Sequence, residues 1–540
     1  MIAWDISTAA FQTERHFGAR DVACLRDRPS SLPAMLRNAA RENPEGEALV
    51  CGDFRCTWAE LDNLSRAFAL HLRFRGILRG DRVAMLLGNR PEFVIALYAI
   101  TRLGAVAVPV GIREQAPGLA YITRQSGARL ILHEPSLTDI LPPDVPALAM
   151  ECGDTRKNLD SLAQADGSAD FECPKDDDTA LIMYTSGTTG QPKGALVAHV
   201  ALVHVGAIYA MCMDLDAADR SVCVVPLSHI TGITATLCAM AFARGCSIII
   251  PQFEAEHFVR TAECEAMTHT LLVPAMYKLI LDRVNLASYD LSRWRIGAFG
   301  GAPMPVPTIV ELKRKLPALD LMNCYGATET CGAVTIMPAE HAEHRSGSVG
   351  FPVPGTSFRV IGEGGEELGP DQEGELCIAG PTVAPGYWGN PDATAASFDQ
   401  GYWQSGDLGK VDEDGFVYVL DRLKDMINRG GYKIFTAEVE SVLAEHPSVT
   451  EAALIAKPCP VLGERVHAFV SVPLSASCPE SRELQEFCAA RMADYKVPES
   501  FTIGHDPLPR NLNGKILKKE LRKIFEALPS APANDRTARE

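Results

Sequence analysis

The eleven residues YTSGTTGQPKG, Tyr184 to Gly194, place four Thr and Ser hydroxyls, three glycines and a lysine directly after an apolar run. Glycines let successive backbone N–H groups converge on one concavity, and the hydroxyls of Thr185, Ser186, Thr188 and Thr189 add donors around Gly187. Lys193 adds a point charge. The chemistry served by such a set is the binding of a phosphate chain. Pro192 stands five residues after Gly187, so the loop is not the G-x-x-x-x-G-K-[ST] of P-loop ATPases and GTPases. A loop of Gly, Ser and Thr is, taken alone, equally a surface turn. Other chemically capable residues have equally plain uses when taken singly. Asp407 and Glu329 serve as turn or cap carboxylates, His229 as a satisfied core histidine, and Lys515 as part of the solvated basic run ending at Lys519.

The elements between these residues follow a recurring pattern. DRVAMLLG (81–88) leads into a helix over 91–103, AVAVPV (105–110) into the next, and ARLILHE (128–134) follows. This is the βαβ rhythm of a parallel sheet with helices on its faces. It resumes with SVCVVPLS (221–228), CSIIIPQF (246–253), HTLLVPAM (269–276) and RIGAFGG (295–301). From about Ser346 short strands and Gly-rich turns predict a small β unit. Beyond FVYVLDRLKDMI (416–427) a helix near Thr436, the strands EAALIAK and HAFVSV, and a helix from Ser481 predict a compact C-terminal domain. The fold class expected is α/β: a large N-terminal domain of doubly wound parallel sheets plus a small β unit, with a smaller, mobile C-terminal α+β domain. The boundaries expected are 1–421, a hinge at 422–425, a C-terminal domain over 426–526 and a flexible tail over 527–540.

With 540 residues, 47% hydrophobic and 22% charged, the chain has material for two or more cores. A net charge of −17 argues against binding nucleic acid or anionic lipid through the general field, so an anionic ligand has to be held locally. Sixteen cysteines without a CxxC pair or zinc spacing, and no secretory signal at the start, lead to the expectation of a reduced, cytoplasmic protein. The most apolar stretch, 93–110, is divided by Arg102 and closed by Pro109, and reads as a buried helix followed by a core strand rather than a transmembrane segment.

In order along nearly the whole chain, the motifs resemble the adenylate-forming superfamily of acyl-CoA synthetases, hydroxycinnamate-CoA ligases, luciferase and peptide-synthetase adenylation domains. The resemblance is nearest to 4-coumarate-CoA ligase-like and medium-chain acyl-CoA ligases. It implies three small-molecule ligands, ATP with Mg²⁺, a carboxylic acid and coenzyme A, and leaves a homodimer open. In PLSHITG, His229 falls where the family gates the acyl pocket; GGAP, with Gly301, Ala302 and Pro303, resembles the loop against adenine. NCYGATET supplies Asn323 and Gly326 and implies Tyr325 under adenine, Thr328 near phosphate and Glu329 on Mg²⁺. GYWQSGDLG supplies Asp407 for the ribose, and DRLKDMINRGGYKI supplies Arg422 for the ribose, Lys424 at the hinge, and Gly430 and Gly431 along the pantetheine channel. LPRNLNGKILKKEL carries Lys515, implied as the adenylating lysine.

The catalytic set implied is therefore Lys515, Glu329, Thr185 and His229. The remaining acyl-pocket positions are Thr231, Ala235, Ala298, Gly301, Cys324, Gly332 and Ala333, all small and uncharged, which favours an acid without a second charge. Two positions depart from the hydroxycinnamate ligases. Asn428 stands where they carry a lysine and Thr231 where they carry a tyrosine, so neither role is transferred. The expected reaction forms acyl-AMP and pyrophosphate, then a CoA thioester and AMP. Rival readings are an acyl-AMP ligase loading a separate carrier protein, a luciferase-like oxygenase and a non-catalytic nucleotide-binding protein.

Overall fold

The computed structural model describes residues 4, 6, 10–18, 20–151, 171–185, 191–342, 344–345, 347–474, 476–510 and 516–527. The chain divides into two compact units, one of residues 1–405 and 409–419, the other of 406–408 and 420–540.

Two sheets form the frame of the first unit. In the six-stranded sheet Arg82–Leu86 lies between Val106–Val110 and Ala128–His133 and is parallel to both. Thr179–Thr185 adds in parallel beyond Val106–Val110, and Lys193–Ala198 returns antiparallel to it. Pro91 starts the helix Pro91–Arg102 at a position that needs no backbone donor. All twelve of its residues are buried, because the helix touches both Val106–Val110 and Glu47–Cys51 and is covered by the helices Leu32–Glu42 and Trp58–Phe74. An all-round apolar helix needs such enclosure, and each buried Leu, Ile, Val or Phe contributes about 1.5–3 kcal/mol. Arg102 at its end is ion-paired to Asp62, which makes its burial tolerable. The stretch 93–110 is thus a buried helix and a core strand. Among the described residues no helix is long and apolar enough to cross a membrane.

The second sheet has nine strands. Its parallel part runs, in spatial order, Asp320–Ala327, Ile296–Gly300, His269–Leu272, Arg220–Cys223, Cys246–Ile249 and Glu47–Cys51. The helices Ala255–Cys264, Pro274–Arg283 and Val306–Lys315 cover one face, and a continuous core containing Pro91–Arg102 and His199–Cys212 covers the other. The segment 269–276 yields a strand only to Leu272, because Pro274 opens the next helix at its first turn. SVCVVPLS likewise stops pairing at Cys223, which releases the residues after it to form a loop at the sheet edge.

A small antiparallel sheet follows, built from Ser357–Ile361, Gly374–Ala379, Phe398–Asp399, Tyr402–Val411 and Val417–Arg422. The second unit has its own sheet, Tyr432–Ile434, Ile427–Arg429, Gly463–Ser471, Glu451–Cys459 and Ser500–Gly504, with helices Thr436–Ala444, Ser481–Ala489 and Lys518–Ala527. Its core of Ile427, Ile434, Val439, Leu443, Leu454, Val466 and Leu484 is separate from those of the first unit.

Candidate active site

Four parallel strands of the nine-stranded sheet run side by side toward one edge: Val222 is opposite Thr270, Leu272 opposite Phe299, and Gly300 opposite Cys324, with Asp320–Ala327 extending three residues further. The chain leaves Cys246–Ile249 on one side of Arg220–Cys223 and enters His269–Leu272 on the other. Strand order reverses there, and a crevice at the carboxyl ends of the strands is where an open α/β sheet binds ligands. The loops over this edge carry His229 after the first strand, Gly301, Ala302 and Pro303 after the third, and Thr328 and Glu329 after the fourth. Residues 301–303 are exposed and follow the strand Ile296–Gly300 directly.

Asp320–Ala327 and Gly332–Ile336 are antiparallel, and the turn between them holds Glu329 in a single helical turn, Thr328–Thr330. Thr330 Oγ1 accepts from Ala327 N at 2.8 Å and donates to Gly332 O at 2.8 Å, which fixes the turn. Gly326 makes the approach of the two strands possible: a Cβ there would lie 1.9 Å from the carbonyl oxygen of Gly332. Glu329 is only 9% exposed. Thr185 Oγ1 donates to its Oε1 at 3.5 Å and Tyr387 OH donates to the same oxygen at 3.0 Å. No Lys, Arg or His among the described residues lies within ion-pair distance of it. A buried carboxylate without a cation is costly, and an acid oxygen beside a threonine hydroxyl suits a hard divalent ion, so the donor set fits Mg²⁺.

Thr185 ends the strand Thr179–Thr185 and pairs with Lys193, the first residue of Lys193–Ala198. The hydroxyl-rich loop therefore connects two antiparallel strands, whereas a P-loop feeds a helix N-terminus. Ser186, Gly187, Thr188 and Thr189 lie outside the described residues. Lys193 Nζ stands 5.1 Å from the centroid of the Tyr387 ring.

His229 begins the helical run 230–243, in which Ile233–Cys238 is widened into a π-helical turn. Burial lowers the His229 pKa, favouring the neutral imidazole. Ala235, Ala298, Cys324 and Ala333 belong to one buried cluster with Val205, Tyr209 and Ile233. A Cβ on Gly332 would meet Val205 at 2.8 Å and Thr234 Oγ1 at 3.1 Å, so Gly332 adjoins the same cluster. Thr231 is half-buried. Tyr325 and Asn323 are half-buried on Asp320–Ala327, and Asn323 Nδ2 donates to Ser348 O at 3.5 Å.

In the second unit Asp407, 4% exposed, pairs with Arg422 Nε at 2.7 Å, so the two residues expected at the ribose hold each other. Gly430 and Gly431, with φ of 60° and 94°, form the two-residue turn of the hairpin Ile427–Arg429 and Tyr432–Ile434. Asn428 accepts from Gly431 N at 3.0 Å and so braces that turn. Lys424 is exposed. Lys515 lies outside the described residues; flanking it, Arg510 bridges Ile516 and Leu517 N donates to Pro509 O at 2.8 Å.

Sequence reasoning missed Tyr387, in GYWGN. Its only signal was an aromatic residue after a glycine in a turn-rich stretch, which carries no chemical pattern by itself. It also missed Val205, Thr234 and Tyr209, which packing alone brings beside the predicted pocket positions.

Family comparison agrees with the arrangement. Residues 36–388 match the model of the AMP-binding enzyme family and 438–515 that of the AMP-binding enzyme C-terminal domain. The chain is 36% identical to a feruloyl-CoA synthase of Amycolatopsis sp, over 90% of this chain and 97% of that protein. It is 34% identical to a long-chain fatty acid–CoA ligase of Mycobacterium tuberculosis, over 91% and 98%. The o-succinylbenzoate CoA synthetase of Bacillus subtilis, solved with its acyl-adenylate, superimposes with a TM-score of 0.82 at 30% identity, covering 90% of this chain and 97% of that one. The same enzyme with ATP and magnesium gives 0.80 at 30%, covering 90% and 99%. With family models covering most of its length and a relative of this identity along almost all of it, the chain belongs to the AMP-binding enzyme family.

Proposed function

We infer that the protein is an ATP-dependent acid–CoA ligase, and we propose the residues and the class of acid that it uses. The observation that carries the reading is Glu329, a buried carboxylate with no cationic side chain at ion-pair distance among the described residues, next to Thr185 at the start of the hydroxyl-rich loop. In the first half-reaction a carboxylate oxygen bonds to the α-phosphorus of ATP as the bond to pyrophosphate breaks. Glu329, with Thr185 beside it, would hold Mg²⁺, which would supply positive charge to the phosphate oxygens. Thr185, Ser186, Thr188, Thr189 and Lys193 donate to those oxygens, and Lys515 holds the carboxylate beside the α-phosphate, where electrostatic stabilisation lowers the barrier. Gly301 to Pro303 and Tyr325 receive adenine, and Asp407 and Arg422 exchange their mutual pairing for the ribose hydroxyls.

In the second half-reaction the thiol sulfur of CoA bonds to the acyl carbon, AMP leaves and the thiol proton goes to solvent. Two geometries are needed, so the unit carrying Lys515 turns about residues 422–425 between the steps, with Lys424 in the hinge and Gly430 and Gly431 lining the approach of the thiol. The pocket of Ala235, Ala298, Cys324, Gly332 and Ala333, with a neutral His229 at its mouth, suits an aryl, alicyclic or medium-chain acid without a second charge. The free cysteines of the described chain favour a cytoplasmic location.

Pyrophosphate release over a panel of carboxylic acids, with and without CoA, tests the reading. Multiple turnovers only with CoA, confined to uncharged-tailed acids, are expected. About one equivalent released whatever CoA is added would favour a carrier-protein acceptor, and no release with any acid would overturn the ligase.

A further inference from the structure

We propose that Tyr387 is a positioning residue for Glu329: its phenol occupies one carboxylate oxygen and so reserves the other as the ligand oxygen for the divalent cation. The inference rests on the reading of Glu329 given above.

Both hydroxyl donors near Glu329, from Tyr387 at 3.0 Å and Thr185 at 3.5 Å, converge on Oε1. Oε2 receives none among the described residues. A carboxylate free to rotate about its terminal bond presents either oxygen, whereas one held by a phenol presents a chosen one, and such outer donors commonly orient metal ligands.

The phenol is itself fixed. Tyr387 is 8% exposed, its ring meets Phe398 edge to face at 5.6 Å, and its backbone N donates to Thr394 Oγ1 at 3.0 Å. Its segment is stitched onto the strand that carries Lys193: Leu196 N donates to Gly386 O at 3.0 Å and Trp388 N to Gly194 O at 2.8 Å. Ala384 N, three residues earlier, donates to the backbone carbonyl of Glu329 at 2.8 Å. The segment therefore grips Glu329 by main chain and side chain together. It also offers the Tyr387 ring face to Lys193 Nζ, where a cation is attracted by the ring. One tyrosine thus sets the spacing between the acid of the metal position and the lysine of the phosphate loop.

Tyr387→Phe removes the donor and keeps the ring, its edge contact and its face. The measurement is Mn²⁺ affinity of the enzyme–ATP complex, read from the free Mn²⁺ signal by electron paramagnetic resonance, with thioester formation from supplied acyl-AMP measured on the same preparation. A loss of about 10–100-fold in Mn²⁺ affinity is expected, the usual effect of deleting an outer partner of a metal ligand. ATP affinity in EDTA and the thioester step should stay within about twofold of wild type. Mn²⁺ affinity within about twofold of wild type would overturn the role of Tyr387 while leaving Glu329 in place. Equal losses in Mn²⁺ affinity and in the thioester step would make Tyr387 a merely structural residue and also overturn it. Failure of wild-type enzyme with ATP to bind Mn²⁺ would instead overturn the reading of Glu329 itself.

Discussion

Lys515 and Glu329 present opposite problems of placement. Glu329 is held in the turn between two strands by its own main chain and by two hydroxyl donors, so its charge is fixed before any ligand arrives. Lys515 belongs to the short segment between Arg510 and Ile516, which pair with each other, and Lys518 beyond it is tied to Glu440 and Thr436 at 2.7 and 2.6 Å. In the proposed role Lys515 acts where charge develops on phosphate, and only in the half-reaction that displaces pyrophosphate. Lys515→Ala is expected to slow acyl-AMP formation by about 10²–10³-fold. Thioester formation from supplied acyl-AMP should remain within about threefold of wild type. Quenched-flow measurement of the two half-reactions separates these, and equal losses in both would remove Lys515 from the first step. At this scale the sequence was legible only as an order of motifs. No single Asp, Glu or Lys declared a role, and Tyr387 was invisible because its meaning comes from a carboxylate 58 positions away in the chain.

The element that matters most is the pair of strands Asp320–Ala327 and Gly332–Ile336, whose turn carries Glu329. Their approach depends on Gly326, where a Cβ would stand 1.9 Å from a backbone carbonyl that no side-chain rotation can move away. Gly326→Ala is therefore expected to push the turn outward. The overpacking should cost about 1–3 kcal/mol in urea unfolding and, more sharply, lower pyrophosphate release by more than tenfold. A variant with wild-type release would show that the turn tolerates the displacement. The parallel strands and the largely apolar, fully buried helix 91–102 were readable from the sequence, because an apolar run between turn residues has few places to go in a globular protein. Strand ends were read too long at 221–228 and 269–276, where apolar residues continue past the last ladder bond into the site loops. The π-helical turn at Ile233–Cys238 had no sequence signal, since the residues ITATLC fit an ordinary α-helix equally well.

The whole molecule carries a pH dependence that its two units should not share equally. In the first unit His199 and His204 are buried with pKa values pushed down to about 3, and His269 to about 4, each chiefly by loss of solvent. An unfolded histidine titrates near 6.5, so between that value and the folded one the unfolded chain binds more protons and stability falls as pH falls; above 6.5 their contribution is fully present. From pH 7.5 to 5.5 each such histidine removes about 1.4 kcal/mol, so three remove about 4 kcal/mol. Asp176, whose burial raises its pKa, works the other way. The second unit has one comparable group, His467 at about 4, and Glu440, raised by burial, opposes it. All five tryptophans, Trp4, Trp58, Trp294, Trp388 and Trp403, lie in the first unit, so tryptophan fluorescence during urea unfolding follows that unit alone. Its unfolding free energy is expected to be lower at pH 5.5 than at pH 7.5 by at least about 4 kcal/mol, since burial also lowers the pKa values of His71 and His229 in this unit, with His199→Asn and His269→Gln each reducing the difference by about 1.4 kcal/mol. An unfolding free energy that does not change between the two pH values would mean that these histidines are not buried in the neutral form, and the packing of the helix His199–Cys212 against Leu25 and Leu32 would have to be redrawn.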